Sequence, residues 1–218
     1  MSSPHPQVVV RGETVLQVEP EVADVHVTVR VRARDRQTAL ERCSARQEEV
    51  TAVVTAAGDA VEVLETTRVS VHPEVRDRRA PGESVASVSS RLTLGRLDAV
   101  GDLVVALGRL DDVEVEGPVW RLRPDSPAVE QARLGAVRDA VRRGRQYAAA
   151  FGAELTALLE VSDTGLSGGG FRVAAAMASM ARFEGGPHLD LAPARQEVHG
   201  AVEVRFAMSE PDQEVFRG

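Results

Sequence analysis

The sequence predicts an α+β fold in which helices pack on a largely antiparallel sheet. Three observations carry this expectation: strand-like runs come in adjacent pairs, helical runs separate the pairs, and no doubly wound series of alternating single strands and helices is visible. The order read along the chain is β-β-α-β-β-α-β-α-β-β.

Residues 8–18, VVVRGETVLQV, are rich in β-branched side chains and interrupted by Gly12, which reads as a strand with a bend or bulge. Pro20 ends it. Val25, Val27, Val29 and Val31 then alternate with His26, Thr28, Arg30 and Arg32, a half-buried strand with one wet face expected to pair with the first. From Asp35 to Gly58 the spacing is helical, with Leu40, Cys43, Val50, Val54 and Ala57 near one face and Gly58 placed to stop the helix. Cys43 falls on that apolar stripe and reads as a buried structural thiol. Residues 61–75 and 83–94 alternate and make a hairpin whose tip is DRRAPG.

Val100, Leu103, Val104 and Leu107 recur at helical spacing, and residues 113–122 return to strand character. Ser126 followed by Pro127 is a helix start, with the hydroxyl placed to cap free amides. The helix runs to Gly152 with Val129, Ala132, Ala136, Val137, Ala140, Val141, Ala148 and Phe151 as its inner face. Arg133, Arg138, Arg142, Arg143 and Arg145 lie elsewhere on it; Asp139 offers Arg143 a local partner, and a solvated face is the plainer reading than a binding stripe. Residues 155–161 and 196–208 are the last two strands, and the end from Ser209 reads as a frayed polar tail.

At 218 residues and 43% hydrophobic content the chain can fill a core. All 26 basic residues are Arg, because Lys, like Ile and Asn, is absent, a bias of the kind GC-rich codons produce. The net charge of −7 and an aromatic content of 3% oppose nucleic-acid binding. No apolar run spans a membrane, and no export pattern opens the chain, so the expected location is the cytoplasm.

The stretch GLSGGG, residues 165–170, most resembles chemistry. It fits the G-x-S-x-G elbow of serine hydrolases, with Ser167, Asp190 and His199 in the chain order of α/β-hydrolases. The elbow requires a tight strand-turn-helix on a parallel scaffold, and neither is predicted. A phosphate loop needs Lys, and the chain has none. The five histidines, His5, His26, His72, His188 and His199, show no metal-ligand spacing, and adjacent acids such as Asp111 and Asp112 or Glu48 and Glu49 read as solvated surface. No catalytic, cofactor-binding or metal-ligating residues are expected, and no cofactor.

The whole pattern resembles the SIMPL-domain (DUF541) family. The opening VVVRGETVLQVEPEVADVHVTV is similar to the family's first two strands: Gly12, Pro20 and Ala23 match, whereas Thr14 stands for a second Gly and Glu21 for an Asp. LETTRVSVHPE, AVRDAVRRGRQYAAAFGAELTALLEVSD and LAPARQEVHGAVEVRFAM resemble later family segments in order, with Pro193 retained and Ala194 where Gly is common. The resemblance implies an α+β fold of two intertwined βαβ-like halves, ring-like or channel-like homo-oligomers in some relatives, links to stress defence, and no established active site. Many relatives are exported, unlike the expectation here.

The sequence reading is therefore a non-enzymatic, self-assembling SIMPL-like protein, stress-related, with a small serine hydrolase using Ser167 or a small-molecule-binding module as alternatives; no ligand is identified. Residues 8–208 form the domain, with residues 1–7 and 209–218 as flexible ends and an insertion at about 163–195. Within the insertion, residues 171–183 have the composition of a short helix with Val173, Ala176, Met177 and Met180 on one side, a candidate assembly element.

Overall fold

The computed structural model describes residues 6–74, 83–163 and 189–217. Its elements follow the expected order: β1 (Gln7–Val18), β2 (Val22–Ala33), α1 (Arg36–Ala56), β3 (Val61–Glu74), β4 (Glu83–Leu94), α2 (Val100–Gly108), β5 (Val113–Arg121), α3 (Pro127–Ala150), β6 (Leu155–Ser162) and β7 (Gln196–Met208). All strand pairs are antiparallel. The α+β class stands, but the strands form two sheets. One is ordered β1-β7-β6 and the other β3-β4-β2-β5. They belong to two compact units, one built from β1, α3, β6 and β7, the other from β2 to β5 with α1 and α2.

In the four-stranded unit, β2 is central, paired with β4 on one side and β5 on the other. Its alternation puts Val25, Val27, Val29 and Val31 on the buried face, each worth roughly 1.5–3 kcal/mol of transfer free energy. α1 covers that face with Ala39, Cys43, Val50 and Val54, and α2 adds Val100, Leu103 and Leu107. Leu40, expected on the inner stripe, is 47% exposed. The Asp35 carboxylate accepts the Thr38 amide at 2.8 Å and caps α1, while Gly58 at φ +60° turns the chain away from the helix end.

The expected pairing of β1 with β2 is not found: β1 pairs with β7 across its whole length. Strands adjacent in sequence pair by default only when no distant strand offers a better apolar match, and Val10 on β1 joins Val202, Val204 and Phe206 of β7 in one core. Nor does Gly12 mark a bulge, because the β1–β7 register is unbroken. The glycine serves close approach: a methyl group at Gly12 would come within 2.8 Å of the Ala140 Cβ and 2.5 Å of its amide nitrogen on α3. Gly200 on β7 lies under the same helix, where a methyl would sit 3.0 Å from the Arg133 nitrogen and closer still to the Ala132 carbonyl.

That approach selects the residues α3 turns inward. They are Ala128, Ala132, Ala136, Ala140, Gly144 and Ala148, every fourth position and all small. Val137 and Phe151, expected on this face, stay 42% and 39% exposed, because a helix lowered onto a glycine floor leaves room only for methyl groups. The chain end also departs from a frayed tail. Residues Gln213–Phe216 form a 3-10 turn, Phe216 stacks on Phe151 with ring centroids 6.1 Å apart, and the Asp212 amide donates to the Phe151 carbonyl at 2.9 Å.

Candidate functional site

The catalytic readings gain no geometry. Ser167 and the rest of GLSGGG, with residues 171–183, His5 and His188, lie outside the described residues. His199 stands on the exposed face of β7, its Nε2 3.6 Å from Glu197 Oε2. Asp190 belongs to the other unit. His26 and His72 are exposed on β2 and β3. Among the described residues no group of His, Cys, Asp or Glu is arranged to hold a metal ion. Cys43 is buried, and that burial pushes its thiol above the usual range, which disfavours the nucleophilic thiolate.

The arginines of α3 divide by the helix flank they occupy. On the flank toward β1, Arg143 Nη1 donates to the Arg11 carbonyl at 2.6 Å, and Asp139 Oδ2 accepts the Glu13 amide at 3.1 Å. Both β1 groups lie outside the β7 ladder, so two side chains of one helix satisfy the middle of β1's outer edge. Asp139 is held by Arg142 and by the Glu13 amide, which keep its carboxyl below the usual range. The Asp139 and Arg143 pairing expected from their spacing is present at 3.7 Å. On another side of the helix, Arg138, Arg142 and Arg145 line a shallow groove with Val137, Val141 and Gln146. Leu134 adds to the exposed apolar surface of the helix at 48%.

The opposite edge of the same sheet is different. Leu158, Leu159 and Val161 on β6 are 60%, 46% and 54% exposed. Leu155, Leu158 and Val161 stand opposite Met208, Phe206 and Val204. Phe206 and Val204 are buried in the core beneath α3, so these three β6 residues face the helix side of the sheet. α3 lies on β1 and β7; Leu155 still packs against the core beneath it, whereas Leu158 and Val161 stay exposed.

Sequence reasoning missed one buried charge. Asp24 on β2 is 5% exposed; Arg121 Nη2 donates to its Oδ1 at 2.7 Å, Arg121 Nε lies 2.7 Å from Oδ2, and the Thr93 hydroxyl donates to Oδ1 at 2.9 Å. Burial pushes the carboxyl up, but the bonds from Arg121 and Thr93 and the charges of Arg121 and Arg91 outweigh it and hold it below the usual range. The strand alternation shows Asp24 as one more polar position; its partner is 97 residues away. The pair ties β2 to β5 beside the register shift between Asp24 and His26. With its ligand capacity filled from within the chain, it is a structural clasp.

These features define a class: an α+β protein of two antiparallel-sheet units that, among the described residues, gathers apolar surface at a sheet edge and no reactive groups around a cavity. The chain belongs to the SIMPL family, described as a protein of unknown function (DUF541), whose model matches residues 8–206. Among curated proteins, none matches the chain. No helix among the described residues is long and apolar enough to cross a membrane.

Proposed function

We propose that this SIMPL-family protein works without catalysis, by assembling with copies of itself, in a stress-related role. One observation supports assembly above the rest: the large apolar side chains of Leu158, Leu159 and Val161 are exposed on β6, an outer strand of its sheet. Exposed apolar strands at a sheet edge are a template for pairing with another chain. The stress-related part rests on the family resemblance.

Mass photometry and light scattering at micromolar concentrations test the assembly. Species heavier than one chain are expected, and a strict monomer throughout overturns it. The non-enzymatic part predicts no labelling by a fluorophosphonate probe; labelling that Ser167→Ala abolishes would overturn it. A deletion strain with unchanged survival under heat and peroxide would remove the stress role.

A further inference from the structure

Building on the assembly reading, we propose that the outer edge of β6 is where two copies of this chain meet, β6 pairing antiparallel with β6 about a two-fold axis centred on Leu158.

The first ground is the asymmetry of the three-stranded sheet. Its β1 edge is occupied, with the Arg11 carbonyl and the Glu13 amide bonded to Arg143 and Asp139. Its β6 edge has no comparable cap: among the described residues, no side chain bonds the backbone of residues 155–162. Of the devices that keep sheet edges apart, β6 has two bulges and one carboxylate, Glu160, which faces Arg205 at 3.3 Å. It contains no Pro and no basic residue.

The second ground is self-complementarity. The bulges put Leu155, Leu158 and Val161 on one side of the sheet at even spacing. A two-fold axis through Leu158 therefore sets Leu158 against its own copy and Leu155 against Val161 of the second copy. Each Glu160 then lies across from Thr156 of the other chain, so no carboxylates oppose each other. An axis at Glu160 would place two carboxylates face to face, which disfavours that register. An isologous contact of this kind closes as a dimer and joins two three-stranded sheets into one of six strands. A second copy is thus the occupant the edge fits, since the same short strand supplies both halves of the match.

The experiment compares wild type with Leu158→Arg and Val9→Arg by sedimentation velocity, with circular dichroism as the folding control. Leu158 and Val9 are 60% and 50% exposed, so neither arginine displaces core. Leu158→Arg sets two guanidinium groups together on the axis, and the expected result is a loss of the dimeric contact, with at least a tenfold rise in its dissociation constant. Val9→Arg is expected to leave assembly unchanged. Leu158→Cys is expected to form a disulfide-linked dimer on oxidation, visible on a non-reducing gel even where the arginine variant folds poorly. An assembled wild type whose mass is unchanged by Leu158→Arg, and whose Leu158→Cys variant does not cross-link, overturns the β6 contact while leaving self-assembly intact. A monomeric wild type overturns both.

Discussion

Replacing Gly12 with alanine tests whether the approach of α3 to its sheet organises the three-stranded unit. The added methyl would lie 2.5 Å from the Ala140 nitrogen, against the ~3.5–4.0 Å of a relaxed carbon contact, so about 1 Å or more must open between strand and helix. The obstacle is backbone and cannot rotate away. Overpacking of this kind costs about 1–3 kcal/mol, and a rigid backbone contact places it near 3. Alanine recovers about 0.5–1 kcal/mol of the chain entropy that glycine loses on folding, leaving about 2 kcal/mol of net destabilisation. Gly200→Ala meets the same helix through Ala132 and is expected to cost a similar amount. Because either methyl lifts the same helix, the double variant should cost clearly less than the sum of the two. Guanidinium unfolding followed by far-ultraviolet circular dichroism, at one protein concentration, reads all three values. A Gly12→Ala cost below about 0.5 kcal/mol, within the range of ordinary surface changes, or full additivity in the cycle would refute the close-approach argument.

Asp24→Asn should destabilise by about 2 kcal/mol at neutral pH, less than the 3–5 of a fully buried pair because the Arg121 side chain stays 41% exposed. The folded carboxyl of Asp24 is held below its usual range, so its contribution is present above the unfolded value of about 3.9 and is lost as pH falls through the lower folded value. The gap between wild type and variant should therefore narrow as unfolding is measured from pH 5 downward, and a constant gap would count against the clasp. Asp139→Ala strips the cap from the Glu13 amide and should raise light scattering with concentration by opening the β1 edge; unchanged scattering would show that this edge needs no cap. Cys43 should resist a thiol-reactive disulfide reagent in the folded protein and react fully in guanidinium, whereas rapid native reaction would place it in an accessible site.

The order of elements and most of their bounds are local properties, and the sequence by itself determined them. Alternation in 25–31, the Ser126 and Pro127 start and the helical spacing from Asp35 each depend on residues within a few positions, so periodicity and capping signals expose them directly. The family was also legible, because its pattern is spread over residues 8–206. Tertiary structure alone decided which strands pair: β1 joins β7 nearly two hundred residues later, and nothing local distinguishes that partner from β2. It also decided what Gly12 is for, since a glycine that admits a helix looks the same in sequence as one that bends a strand. For the same reason α3 turns its alanines inward and leaves Val137 exposed: the helix-to-sheet distance is set by two glycines on other strands, not by the hydrophobicity of its own residues. The candidate surface follows this division. The apolar residues of β6 were visible as a strand, but their exposure depends on where α3 lies and on which edge Asp139 and Arg143 occupy, and those are facts of packing.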